Sequence, residues 1–208
     1  MYIPEPFTIT NQRKQLDVIR EIGWGHLTSI VEGIPYVTHL PLLLEDENDE
    51  LKLVAHMARA NPHWKSFSEG SLQLVVFEGP HCYISPNWYV SKKAVPTWNY
   101  VTAHVYGEPR IIEDPDYIRT YQKKLVDKYE EQQILPWRLE SLDKVFINDM
   151  SRAIVTFEIQ ITHIECKLKL SQNRSSADRE SVISALEATG KKAESAIASL
   201  MRKLNIQN

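Results

Sequence analysis

Cysteine is nearly absent from this chain of 208 residues: Cys82 and Cys166 are the only two. They form no CxxC pair and no disulfide framework, which suits a reducing cytosol, with each thiol a small core filler. No apolar run is long enough to span a bilayer. The opening Met1-Tyr2-Ile3-Pro4-Glu5-Pro6 lacks a basic region followed by an apolar stretch, so no signal peptide is expected. A surplus of positive charge is missing too. The formal net charge is -3, which argues against a large basic surface for nucleic acid, because phosphate neutralisation drives most of that affinity. No helix-turn-helix pattern stands out. The seven histidines include no HExxH and no pair four residues apart on a helix. Ser85 lies between Ile84 and Pro86, without the small neighbours of a GxSxG elbow. Walker A and GxGxxG patterns are absent. These absences leave a soluble, cytoplasmic protein without a zincin, serine-hydrolase or common nucleotide-cradle signature.

What is present is ordinary globular material: 43% hydrophobic and 25% charged residues, enough for one domain with a sizeable core and a small appendage. After a proline-bearing arm, Asn11 to Ile22 reads as a helix capped by Asn11 and ended by Gly23. Short strands follow: His26 to Val31, a turn at Glu32-Gly33, Ile34 to Leu44, an acidic loop over Glu45 to Glu50, then Leu51 to His56. Successive hairpins indicate an antiparallel meander rather than βαβ crossovers. Leu72 to Glu78 reads as a central strand, and the prolines after it confine Gly79 to Tyr89 to edge strand and turns. Val101 to Ile112 alternates as a strand, Asp114-Pro115 opens a helix to about Tyr129, and Leu135 to Phe146 is a looser, partly helical connection. Ala153 to Lys169 has period 2, with Val155, Phe157, Ile159 and Ile161 facing one way and Thr156, Glu158, Gln160 and Thr162 the other. Two helices around Gly190 close the chain. The sum is a mainly β, α+β fold: an antiparallel barrel of six or seven strands with peripheral helices. Residues 1–175 form the barrel domain, and 176–208 a helical extension packed on it or on a dimer partner.

One stretch organises the chemistry. Leu53 and Val54 end a buried strand, a cationic turn with His56, Arg59 and Asn61 follows, and Asn61-Pro62 opens a helix. Such a turn suits a phosphate, since free backbone N–H groups and the helix dipole favour an anion and Arg59 can clamp it with two parallel bonds. Trp88, Tyr89, Trp98 and Tyr100 sit in loops flanked by prolines and asparagines rather than on a periodic core face. Aromatics on rigid turns serve planar ligands or subunit interfaces. Together these features describe a site for a planar, phosphorylated heterocycle.

Four ordered blocks resemble the signature blocks of the PaiB family: His56 to Trp64, Gly79 to Tyr89, Val95 to Tyr100 with His104 and Gly107, and Lys167 to Arg174. The resemblance implies an FMN-binding split barrel like that of pyridoxamine phosphate oxidases, a homodimer with flavin at the subunit interface. It also implies negative transcriptional regulation of sporulation and protease genes, by DNA contact or through a partner. On the family's fold the flavin phosphate maps onto His56, Arg59 and Asn61, while Trp98, Asn99, Tyr100, Lys169 and Gln172 line the ring or reach it from the partner subunit. Two further readings stand beside this one: a flavin-dependent oxidoreductase using FMN for hydride transfer, and a haem-binding or haem-degrading split barrel. The sequence offers no dedicated acid–base pair.

Overall fold

Asn11 Oδ1 accepts from the Lys14 N–H at 3.0 Å and starts helix α1 (Gln12–Ile22), whose apolar face buries Leu16 and Ile19. Gly23 ends it at φ +63°. The computed structural model to which these elements belong describes residues 1–47, 50–68 and 70–206. Strands β1 (Trp24–Val31) and β2 (Ile34–Pro41) form a hairpin in register Val31↔Ile34. Glu32 and Gly33 both have positive φ there, the conformation that matches strand twist in a two-residue loop. Then come β3 (Leu43–Glu47) and β4 (Glu50–Ala58), a second antiparallel hairpin. The expected acidic loop is therefore mostly strand; its Asn48 and Asp49 lie outside the described residues. The chain continues through β5 (Gln73–Ile84), β6 (Thr97–Ile112), helices α2 (Pro115–Glu130) and α3 (Lys144–Arg152), β7 (Ile154–Lys169), and helices α4 (Ser176–Ala188) and α5 (Lys192–Ile206).

The seven strands make one antiparallel sheet in the order β2-β1-β5-β6-β7-β4-β3, as a barrel that is split rather than closed requires. The two hairpins are present, yet the meander is not continuous. β2 and β3 are joined by Leu42 alone and stand at opposite ends of the order. Leu42 is buried and donates its N–H to Gly23 O at 2.8 Å, so the chain turns a corner there. Pro80 likewise does not confine its stretch to an edge. β5 runs through it to Ile84 and is an inner strand, because one proline removes one donor without ending a ladder. Among the described residues no helix is long and apolar enough to cross a membrane.

By contact the chain forms two compact units. The first comprises Met1–Val18, Phe77–His104 and the residues from Glu165 onward. Its core joins Cys82 and Ile84 of β5 to Val182 and Ile183 of α4 and Ile197 and Met201 of α5, so the helical tail is part of that core. Burial, helped by Glu194, pushes the Cys82 thiol up to about 11, and burial pushes Cys166 up to about 12.

The second unit comprises Ile19–Val76 and Val105–Ile164. Here α2 packs Tyr121 (1% exposed), Tyr117 and Leu125 over Leu43 and Val54. That cover explains why β7 buries both faces here: Thr156 and Glu158, opposite the apolar face of the strand, are buried as well. Glu158 is paired with Lys52 at 3.3 Å, and Lys52 also approaches Glu45, which accepts from Tyr117 and Lys124 at 2.8 Å each. At Gly107 of β6 the β7 backbone comes so close that a Cβ would collide with the Gln160 carbonyl oxygen.

Candidate functional site

The apolar residues of β4 fix the turn that follows it. Leu53, Val54, Ala55 and Met57 are buried, and β4 pairs antiparallel with β7 in register His56↔Thr156 and Ala58↔Ile154. At the end of this pairing the Arg59 N–H donates to Ala153 O at 2.8 Å. The side chain then folds back on the same junction. Nε donates to Arg152 O at 2.8 Å and Nη2 to Ile154 O at 2.7 Å. The fork expected to grip an anion through two parallel bonds is thus partly committed to carbonyls, and Nη1 remains for a ligand. The helix expected after Pro62 is a five-residue 3-10 stretch, Pro62–Ser66, too short to lend a useful dipole.

Asn61 is the cap foreseen from sequence: its Oδ1 accepts from His63 N at 3.0 Å, and its Nδ2 donates to Thr38 Oγ1 at 3.1 Å. Its polar ends are bonded within the protein. His56 is half-buried, and its Nδ1 shares a 3.0 Å hydrogen bond with the Tyr121 hydroxyl. Burial lowers the His56 pKa and raises that of Tyr121, so the neutral imidazole faces a protonated phenol. His63, given no role by sequence, is 1% exposed and bonded on both sides, to Ser29 Oγ at 2.6 Å and Thr38 Oγ1 at 2.7 Å. Its pKa is also lowered by burial.

Arg59 edges a cavity of about 480 Å³ bounded by α2, α3, the end of β6 and the start of β7, within the range of about 300–1,000 Å³ usual for small-molecule sites. Ile112, Ile118 and Ile147 give it apolar walls, and Ser151, Asn148 and Thr156 polar ones. Thr156 is 2% exposed and its Oγ1 has no hydrogen-bond partner. A buried hydroxyl left unsatisfied is costly, and a bound oxygen could relieve it. The donors present therefore fit an anionic, phosphorylated ligand. His56 and Asn61 do not line this cavity. Among the described residues no group of His, Cys, Asp and Glu could hold a metal ion.

The other five anticipated residues belong to the first unit. Trp98 is 52% exposed and stands against Tyr83 and His81 in loose aromatic contact. Asn99 is fully buried, with its Nδ2 donating to Ser171 Oγ at 3.0 Å. Tyr100 lies under two ammonium groups, those of Lys167 at 5.2 Å and Lys169 at 6.0 Å from its ring centre. Lys169 donates to Thr97 Oγ1 and, at 2.8 Å, to Trp98 O; burial lowers its pKa. Gln172 closes a turn, accepting from Leu170 N at 2.7 Å and donating to Leu168 O at 2.5 Å. Trp98, Asn99, Tyr100 and Lys169 are thus brought together, whereas His56, Arg59 and Asn61 belong to the second unit. Sequence reasoning gave no site role to Thr156 or Tyr121, nor to Arg119 and Arg152, which also line the cavity. The only available signal was a polar residue in the central strand pattern of β7.

Residues 1–163 match the model of a family described as a putative FMN-binding domain. The Protease synthase and sporulation protein PAI 2 of Bacillus subtilis is 35% identical over 187 residues, covering 90% of this chain and 89% of that protein. An uncharacterized protein of Emericella nidulans is 30% identical over 226 residues, covering 89% and 90%. In three dimensions the chain is similar to the flavocytochrome Anf3 from Azotobacter vinelandii, with a TM-score of 0.62, 15% identity, and 78% and 69% of the two chains covered. A FAD and heme binding protein from Mycobacterium smegmatis gives 0.61, 16%, and 78% and 73%. At such identities these likenesses establish the fold. The sequence matches go further, and the chain belongs to the putative FMN-binding domain family, with PAI 2 among its relatives.

Proposed function

We propose that this chain is a cytoplasmic, homodimeric FMN-binding protein that acts in negative regulation of sporulation and protease gene expression. The observation that carries the reading is the Arg59 turn at the edge of a cavity holding an unpartnered, buried Thr156 hydroxyl, in a chain of an FMN-binding family. Bound FMN would supply hydride or single-electron chemistry. The chain's own residues would bind and orient it. Arg59 Nη1 meets the phosphate, while Asn61 and His56 hold the turn and the strand behind it. Trp98, Asn99, Tyr100, Lys169 and Gln172 are assigned to the flavin ring, of their own subunit or of its partner, on the family resemblance. The exposure of Trp98 and the cations over Tyr100 support that assignment.

The regulatory part is supported by the similarity to PAI 2 along nearly the full length of both chains. We place it through a partner rather than through direct DNA contact. Two basic residues of the tail are tied to carboxylates: Arg202 binds Glu187 at 2.7 and 2.9 Å and Glu180 at 3.1 Å, and Lys191 pairs with Glu194. The test is a visible absorption spectrum of the purified protein before and after adding FMN, with size-exclusion mass alongside. A flavin spectrum on a dimer is the expected result. A colourless protein that ignores FMN refutes the cofactor, and a Soret band moves the reading to haem.

A further inference from the structure

The cavity beside Arg59 carries more positive charge than the turn alone provides. Arg119 reaches it from the second turn of α2 and Arg152 from the last residue of α3, so three guanidinium groups meet one lining carboxylate, Glu113. The present partners of the two additional arginines are exchangeable. Arg119 Nη1 lies 3.5 Å from Asp116 and Arg152 Nη1 lies 3.1 Å from Asp149, both as exposed pairs three residues apart on one helix. Such pairs contribute little to stability and are readily given up to a better ligand. The N-terminal turn of α2, a helix of 16 residues, is part of the same wall through Pro115 and Ile118, and helix N-termini favour anions. Thr156 supplies an independent sign of a missing oxygen, being a buried hydroxyl without a partner on this cavity.

We infer that the cavity is a phosphomonoester pocket in which Arg119 and Arg152 join Arg59 in neutralising the dianion and Thr156 Oγ1 donates to one of its oxygens. A phosphomonoester brings close to two negative charges and three acceptor oxygens, and planar guanidinium forks match it. The inference rests on the flavin reading only for the identity of the ester. FMN ends in such a group, and a free phosphomonoester is the other source of the same chemistry.

The experiment titrates the full-length protein with FMN, riboflavin and inorganic phosphate, following flavin fluorescence and the thermal midpoint. The variants are the double variant Arg119→Gln/Arg152→Gln, Thr156→Val, and Arg138→Gln, which removes one cation outside the cavity. The double variant changes exposed side chains only, so its fold is retained if Thr156→Val alone misfolds. FMN is expected to bind the double variant and Thr156→Val at least about tenfold more weakly, with riboflavin affinity unchanged and Arg138→Gln equal to wild type. FMN binding equal in all variants overturns the pocket and leaves the flavin reading standing. Wild type that ignores FMN, yet is stabilised by phosphate in a way the double variant is not, upholds the pocket and removes the flavin. Wild type indifferent to both ligands overturns both.

Discussion

His56 and Thr156 are direct cross-strand partners in the β4–β7 register, and residues so opposed present their side chains on one face. One is satisfied and the other is not: His56 Nδ1 has the Tyr121 hydroxyl at 3.0 Å, and Thr156 Oγ1 has nothing. The pair therefore combines a structural anchor with an open donor. Removing the anchor in Tyr121→Phe leaves a half-buried imidazole nitrogen unpaired and should lower stability by about 1–2 kcal/mol at pH 8. Urea denaturation measures it, and an unchanged midpoint would show the bond to be dispensable.

Stability should also depend on pH in a definite direction. Burial lowers the folded-state pKa of His56 and of His63 below their ordinary 6.5. The unfolded chain thus takes up protons first as pH falls, and acid favours unfolding. The contribution is complete above about pH 6.5 and is lost as pH drops toward the lower folded values. Urea midpoints between pH 7.5 and 5.5 should fall, and His63→Gln should flatten part of the slope. A level profile in wild type would contradict the burial argument.

Gly107→Ala should destabilise the protein by about 3 kcal/mol. The added methyl would meet the Gln160 carbonyl and stand 2.7 Å from Ile159 Cγ2, and a backbone wall cannot yield as a flexible side chain can. Thermal unfolding of the variant checks this, and a midpoint equal to wild type would mean that β6 and β7 move apart without cost.

Arg59 ties its turn to the start of β7 and, as we propose, also meets the phosphate; its variants should separate the two. Arg59→Ala removes the bonds to Arg152 O and Ile154 O and should cost about 1–3 kcal/mol without any flavin present. Arg59→Lys keeps the charge but not the planar fork, so it should recover part of the FMN affinity and little of the stability. Equal behaviour of the two variants in both assays would dissolve the distinction.

In the first unit, Asn99→Ala should destabilise by about 1–3 kcal/mol, because it leaves Ser171, itself 4% exposed, without its partner. The expected loss appears in urea titration of the apoprotein, whatever the variant does to flavin binding; an unchanged midpoint would show the Ser171 bond to be dispensable.

The strands and helices were largely legible because their signals are local. Asn11 and Asp114 cap helices through their own side chains, and Glu32-Gly33 carries its hairpin in its φ angles. Strand order was not legible, since it depends on Leu42 turning a corner by bonding to Gly23, a contact no periodicity announces. The candidate site was legible at Arg59, where residue types cluster in one turn. It was not legible at Arg119, Arg152 and Thr156, which converge on the cavity from three separate elements. Nor could spacing reveal that His56 is anchored by a tyrosine 65 positions away.

The two thiols, at about 11 and about 12, hold almost no thiolate near neutral pH, and thiolate is the form that peroxides and alkylating agents attack. Both thiols are consequently poor targets for such reagents while the fold holds. Iodoacetamide labelling of Cys82 and Cys166 would therefore register unfolding rather than redox state.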